Sequence, residues 1–354
     1  MRSNFLIYGA NGYTGELITR FAVERGMRPV IEGRNDAAIG KLAEKHGLEH
    51  RVFGLDETEK LDAALAEVEM VLHCAGPFSI TSRAMVEACL RNKKHYTDIT
   101  GEIAVFEACA ALDARAKESG IMIMPGVGFD VVPTDCLAVH LKDRLPSATH
   151  LTLAWYGIGR MSHGTQATMT MNIGKGGAVR KDGKITSVPA AWKTRKIDFG
   201  SGVTKTGVTI PWGDVSTAYY STGIPNIEVY SVVPPQAVRM MKLSRYLGWL
   251  LAASPIQKIL RSKIPPGGPD DVERAKGKTL LWGEARDNEG NRVEARQQGP
   301  EGYTTTALAA LTIAEKILSG NFVPGFQTPA KAYGPDLILE INSNAEAVMQ
   351  KPAR

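Results

Sequence analysis

Gly9-Ala10-Asn11-Gly12-Tyr13-Thr14-Gly15 carries glycines at the spacing GxxGxxG. Between a strand and a helix, such glycines have separate tasks. Gly9 permits a tight turn, Gly12 lets a pyrophosphate approach the backbone, and Gly15 allows close helix–strand packing. Asn11, Tyr13 and Thr14 complete the loop, and the N–H groups of the helix that follows face the phosphates. The expected chemistry is dinucleotide binding. Further along, Glu32-Gly33-Arg34 bears on the choice of dinucleotide. An acid at the end of the second strand serves the ribose hydroxyls of NAD, whereas an Arg nearby accommodates the 2′-phosphate of NADP. If Gly33 faces the ribose, alternation turns Glu32 away, and Arg34 is left for a charge-assisted contact with phosphate. NADP is the expected cofactor, with NAD second. Ala75, Gly76 and Pro77 follow an apolar run and make either a rigid turn beside the nicotinamide half or an ordinary strand–helix turn.

Hydride transfer calls for a proton donor. Tyr-x-x-x-Lys, the pairing used by short-chain dehydrogenases, is absent: none of the ten Tyr has Lys four residues later. Two other candidates stand out. His163, in Ser162-His163-Gly164-Thr165, is read either as a general acid facing a cleft or as a solvated loop residue. Tyr303 opens the last long helix and is a donor or a structural residue. Asp98 and Glu102 bracket a turn on the ligand-binding edge and either contact ligand or cap a helix. Asp130 and Asp135 flank Pro133 where the first domain ends. Cys136 and His140, four apart, share a helix face, but their apolar neighbours favour a buried helix over a thiolate–imidazole pair.

These residues need elements to place them. Strands are expected at Phe5–Tyr8, Pro29–Glu32, Arg51–Phe53, Met70–His73, His95–Asp98 and Ile121–Met124. Helices are expected to Phe21 and at 37–46, 61–66, 79–91 and 103–118. Strands alternating with helices at this spacing mean βαβ units and a doubly wound parallel sheet of Rossmann type. After Pro125 the rhythm changes to β-rich runs such as 151–155 and 227–233, and to a hairpin at 279–299 turning at 288–291. The expected fold class is therefore α/β with a second, mixed or antiparallel-sheet α+β domain. Its expected boundaries are 1–130 for the dinucleotide domain, 131–300 for a substrate or dimerisation domain, and 301–354 for a C-terminal helix and tail returning to the first.

With 354 residues, 44% hydrophobic and 22% charged, the chain suits two globular domains and not disorder. Four scattered Cys, with no CxxC, argue against a disulfide scaffold and a metal site and for a reducing compartment. No signal peptide or spanning helix is expected, so the location is read as cytoplasmic. The net charge of +5 is local, because residues 239–263 hold six basic residues and no acid. A nucleic-acid binder spreads its charge over a face, so none is expected as partner. Trp249, Leu250 and other apolar residues give this segment the composition of an interfacial helix. It is read as a peripheral membrane contact or as a packed pair of helices split at Pro255, with a homodimer as one way of burying it.

Taken in order, Gly9–Gly15, Gly33-Arg34, Ala75-Gly76-Pro77, Tyr96-Thr-Asp98-Ile-Thr-Gly101-Glu102, Gly128-Phe-Asp130-Val-Val-Pro133-Thr-Asp135 and Ser162-His-Gly164-Thr165 resemble the saccharopine-dehydrogenase-like oxidoreductases, in particular the trans-acting enoyl reductase branch. The resemblance runs from residue 4 to about residue 180 and resumes at Gly302-Tyr303-Thr-Thr. It implies a Rossmann domain with a mixed-sheet domain, use of NADP, and reductase activity. The resulting expectation is an NADP-dependent oxidoreductase that transfers hydride to a C=C or C=O bond of a small, lipid-like substrate in a cleft between the domains. The alternative is a non-catalytic NADP(H)-binding protein with a structural or sensing role.

Overall fold

A computed structural model describes residues 4–172, 174, 176–251, 253–265 and 267–341, without the side chains at 171, 172, 249, 250, 254 and 261. The side chains of Trp249, Leu250 and Arg261, and the tail 342–354, named above, lie outside the described residues. The chain divides into two compact units. One holds the residues up to Val132 together with Tyr303–Gly334, and the other holds Pro133–Gly302 with the segment from Pro335. The segment expected to return whole to the first domain is thus divided. Leu337 and Ile338, both buried, belong with the second unit.

The first unit starts with β1 (Phe5–Tyr8), α1 (Tyr13–Glu24), β2 (Val30–Glu32), α2 (Asp36–His46), β3 (His50–Arg51) and α3 (Thr58–Ala66). It continues with β4 (Met70–His73), α4 (Phe78–Asn92), β5 (His95–Asp98), α5 (Ile103–Ala110), α6 (Asp113–Glu118) and β6 (Met122–Met124). The second unit holds α7 (Val132–Arg144), β7 (His150–Ile158), α8 (His163–Asn172), β8 (Gly177–Lys181), β9 (Lys184–Val188), β10 (Thr194–Asp198) and β11 (Thr204–Thr209). Then come α9 (Asp214–Thr222), β12 (Asn226–Ser231), α10 (Pro235–Leu251), α11 (Ser254–Ser262), α12 (Asp271–Lys276), β13 (Lys278–Arg286) and β14 (Arg292–Pro300). The chain re-enters the first unit with α13 (Gly302–Leu318), β15 (Gly325–Phe326) and α14 (Pro329–Tyr333), and α15 (Leu337–Ile341) follows.

Seven parallel strands in the order β15-β6-β5-β4-β1-β2-β3 form the first sheet. Phe5, Leu6, Ile7 and Tyr8 are all buried, as expected of a strand covered on both faces. The order runs outward in both directions from β1 and β4, and that reversal is where doubly wound sheets open a crevice for ligands. Two elements differ from expectation, each because of a distant partner. The run 103–118 is two helices, since Asp113 accepts the N–H of Phe326 on β15 at 2.9 Å and the chain is re-aimed there. β3 ends at Arg51 because Phe53 gives its N–H to the Glu32 side chain at 3.4 Å instead of to a ladder.

The second sheet has eight strands among the described residues. Its main path is β10-β11-β12-β7-β13-β14, with β8 joined to β12 and β9 joined to β8. Only the β7–β12 pair is parallel, so the sheet is mixed. The hairpin is longer than its apolar cores, pairing Lys278 with Pro300 through to Arg286 with Arg292. Asp287 closes its turn by accepting the N–H groups of Glu289 at 3.0 Å and Asn291 at 2.9 Å. The sheet curls until its outermost strands meet, for Arg296 on β14 donates to the carbonyl of Asp198 on β10 at 2.9 Å. Inside the curl pack Ala154, Ile197, Phe199, Tyr230, Leu280 and Trp282. Pro255 stands in the first turn of α11, a place that tolerates its missing N–H.

Candidate functional site

The glycine loop joins β1 to α1. Gly9 has φ of 81° and gives its N–H to the carbonyl of Glu32 at 2.9 Å. A Cβ there would stand 2.7 Å from that of Ala75, so the loop after β1 and the turn after β4 touch. A Cβ on Gly15 would stand 2.4 Å from the Gly9 carbonyl oxygen and 2.8 Å from the Ala10 Cα, so α1 is seated on the strand end with no room for a side chain. Gly12 is different. Its φ of −79° suits any residue, and an added Cβ would meet only the Gly9 oxygen, at 3.4 Å. Nothing within the protein requires glycine there. Gly12 caps α1 without a side-chain hydrogen bond. An open helix N-terminus behind an unobstructed glycine fits a dinucleotide pyrophosphate.

Asn11 covers Gly33, whose Cβ would lie 2.4 Å from Asn11 Oδ1. Arg34, the next residue, is exposed. Glu32 is fully buried, and burial pushes its carboxyl up to about 8. Fully buried against Phe53, that carboxyl does not face a ribose, so the residue that matches the NAD pattern is not placed to serve it. Thr81 Oγ1 donates to the carbonyl of Ala75 at 2.7 Å and fixes the 75–77 turn. Tyr13 meets the ring of Tyr303 edge-on, with centroids 5.0 Å apart. The structure thus gathers Gly9, Asn11, Gly12, Tyr13, Thr14, Gly15, Arg34, Ala75, Gly76, Pro77 and Tyr303 in one unit.

Beneath the turn lies a buried polar chain. Tyr96 Oη donates to Asp98 Oδ2 at 2.6 Å and lies 3.3 Å from His73 Nδ1, while His73 Nε2 lies 3.2 Å from the carbonyl of Ala75. Asp98 Oδ1 accepts the N–H groups of Thr100 at 2.9 Å and Gly126 at 2.8 Å. Burial lifts the Asp98 carboxyl to about 6 against the pull of these donors, and burial lowers the His73 imidazole to about 3. Glu102 does cap a helix, though not the one it precedes. It accepts the N–H groups of Phe78 at 2.8 Å and Ser79 at 3.1 Å, the first two of α4, where a negative charge is favoured. Asp98, Glu102 and Thr81 therefore bind loops together at the carboxyl ends of β4, β5 and β6. Sequence spacing missed this network. Its one signal was polar His73 and Asp98 at the carboxyl ends of β4 and β5.

The remaining candidates stand apart. His163 is exposed and opens α8. Its Nδ1 lies 3.2 Å from the Pro265 carbonyl, which can only accept, so Nδ1 carries the proton. It belongs to the second unit, whereas Tyr303 belongs to the first. Asp130 presses on Gly101, whose Cβ would fall 1.8 Å from Asp130 Oδ2. Asp135 is buried on α7 and accepts the hydroxyl of Ser221. Cys136 is buried, and burial pushes its thiol up. Burial also lowers the imidazole of His140, and both shifts work against a thiolate–imidazolium pair. Both line a cavity of about 10 Å³, too small for a substrate.

The parallel sheet, its strand order and the glycine loop define a dinucleotide-binding α/β unit. More particularly, residues 5–124 match the saccharopine dehydrogenase NADP binding domain, and the cofactor of that family is NADP. The chain is similar to a mouse saccharopine dehydrogenase-like oxidoreductase, 24% identical over 217 residues that cover 56% of this chain and 46% of the relative. It is similar to a lipid droplet localized protein of Caenorhabditis elegans, 23% identical over 60% of this chain and 56% of the relative. It is also similar to a trans-acting enoyl reductase of Mycobacterium leprae, 28% identical over 40% of this chain and 36% of the relative. The matched stretches thus span about half or less of these relatives. Apo saccharopine dehydrogenase (L-Glu forming) from Saccharomyces cerevisiae shares the fold, with a TM-score of 0.66 at 13% identity over 96% of both chains.

Proposed function

We propose that the chain is an NADP-dependent oxidoreductase that reduces a C=C or C=O bond of a lipophilic small molecule. The observation that carries this reading is Gly12: the protein's own packing leaves it open, as a backbone approached by phosphate requires. Gly9, Gly12 and Gly15 with Asn11, Tyr13 and Thr14 hold the pyrophosphate, Arg34 takes the 2′-phosphate, and Ala75, Gly76 and Pro77 line the nicotinamide half. The bound cofactor supplies the hydride. Tyr303 and His163 are the proposed proton donors, Tyr303 from beside the glycine loop. A lipophilic substrate, and work at a lipid surface, draw support from two relatives whose names are trans-acting enoyl reductase and lipid droplet localized protein. No described helix is long and apolar enough to cross a membrane, so the lipid contact is proposed as peripheral.

The test is NADPH titration followed by absorbance assays with long-chain enoyl and carbonyl compounds. Saturable binding with steady NADPH oxidation supports the reading. Saturable binding with no turnover on any member of the series leaves an NADP(H)-binding protein of structural or sensing role. No binding removes both.

A further inference from the structure

Helix α10 turns Ala237, Ser244 and Gly248, together with Met241, inward and most of its other large apolar residues outward. Ala237, Met241, Ser244 and Gly248 recur at intervals of four, three and four, which is one face of a helix. Ser244 is buried and the other three are half-buried. A Cβ on Gly248 would stand 2.9 Å from the carbonyl oxygen of Gly174, so the helix is seated by backbone contact. Arg245 pins it from the side, donating Nε to the Ala190 carbonyl and Nη2 to that of Ala191, each at 2.7 Å. The outward sector holds Leu243, Tyr246 and Leu247, with Met240 at its margin, and they are 49%, 78%, 38% and 61% exposed. Arg239 and Lys242, both exposed, stand among them. A helix facing only water is patterned the other way round.

We infer that this outward sector of α10 docks the protein on an anionic lipid surface. The charge of the region selects the occupant. No Asp or Glu lies between Glu228 and Asp270, and Lys258 and Lys263 beyond the helix are exposed as well. In a two-fold contact each patch meets its own equivalent, so a second copy would set Arg239 and Lys242 against like charges, with no acid from residues 229–269 to answer them. Anionic headgroups meet the cations while Met240, Leu243 and Leu247 enter the acyl boundary and Tyr246 sits at headgroup level. This inference deepens the proposed action on a lipophilic substrate, and it rests on that reading for its purpose.

The experiment is co-sedimentation of the full chain with phosphatidylcholine vesicles, with and without phosphatidylserine, at low and high salt, with NADPH titration in parallel. The protein is expected to pellet with the phosphatidylserine vesicles at low salt and to be released by salt. Leu243→Ser with Leu247→Ser should lower partition by about tenfold or more. Arg239→Glu with Lys242→Glu should abolish the preference for phosphatidylserine. Both double variants should bind NADPH like the parent, which shows that they fold. A parent that stays in the supernatant, or a Leu243/Leu247 variant that pellets like the parent, overturns the inference. So does a dimer, seen by sedimentation velocity without vesicle binding, that the same variant dissociates. Vesicle binding without NADPH binding leaves the docking surface standing and removes the cofactor reading instead.

Discussion

Gly15 lies so close beneath Gly9 that a methyl group on it would stand 2.4 Å from the Gly9 carbonyl oxygen, while one on Gly12 would stand 3.4 Å from the same atom. Two glycines of one motif are therefore under different constraints. Gly15→Ala forces α1 off the strand end and should destabilise the protein by about 1–3 kcal/mol. Gly12→Val should leave the denaturation midpoint nearly unchanged and abolish NADPH binding, because the new side chain occupies the pyrophosphate path. Urea denaturation and NADPH titration of both variants separate the effects. A folded Gly12→Val protein that binds NADPH like the parent removes the loop from the cofactor site.

Arg34 is exposed beside the covered Gly33. Its replacement by Ala should weaken NADPH binding by about 1–3 kcal/mol, the worth of a charged hydrogen bond, and leave NADH binding almost untouched. Calorimetric titration with each nucleotide decides this. Equal losses would falsify the assignment of the 2′-phosphate to Arg34.

Glu32 predicts a dependence of stability on pH. Its carboxyl titrates at about 8 in the folded protein against an ordinary value of 4.5, because burial penalises the charged form. Between those values the folded state holds more protons than the unfolded chain, so stability falls as pH rises through that window and levels off above it. Glu32→Gln keeps the polar group neutral at every pH. Relative to the parent, it should gain a few kcal/mol on going from about pH 5 to about pH 9. Denaturant melts across that range measure the difference, and parallel profiles for the two proteins would show that Glu32 is charged when folded.

The parallel sheet was legible because β1, β4 and β6 are short apolar runs alternating with helical stretches, and the glycine loop because three glycines at fixed spacing follow the first of them. What sequence could not show depends on partners far along the chain. The break between α5 and α6 follows from Asp113 meeting Phe326, and the early end of β3 from Phe53 meeting Glu32. Glu102 was legible as a helix cap, yet the helix it caps begins 24 residues earlier, at Phe78. Across residues 239–263, six basic residues and their apolar neighbours were legible as composition. Which side of α10 faces out depended on Gly248 meeting Gly174, a contact that no periodicity announces.

Tyr96 and Asp98 form the shortest link in the chain beneath the 75–77 turn, at 2.6 Å. That hydrogen bond lowers the Asp98 carboxyl against the burial that raises it to about 6. Tyr96→Phe removes the donor, so the Asp98 titration should move upward and stability should fall by about 1–3 kcal/mol, since a buried acceptor oxygen loses its partner. Carbon-detected NMR of the Asp98 carboxyl follows the first effect and urea denaturation the second. An unchanged titration would mean that the Tyr96 hydroxyl turns toward His73 and not toward Asp98.

The proton donor separates by a pair of conservative variants. Tyr303 keeps its ring edge-on to Tyr13 at 5.0 Å, and Phe retains that ring while losing the hydroxyl. Tyr303→Phe should therefore bind NADPH like the parent. If the hydroxyl donates the proton, kcat should fall by about 10²–10⁴ while KM holds, the range that general acid catalysis supplies. His163 donates its Nδ1–H hydrogen bond to the Pro265 carbonyl, and the amide of Asn can make the same donation, so His163→Asn preserves the loop contact and removes only the ring's second nitrogen. A matching fall in kcat for this variant, with Tyr303→Phe unaffected, moves the role to the second unit. Steady-state kinetics on whichever enoyl or carbonyl compound supports turnover, with NADPH affinity measured alongside, reads both variants. If neither kcat falls by more than about tenfold, the proton comes from solvent and both residues are structural.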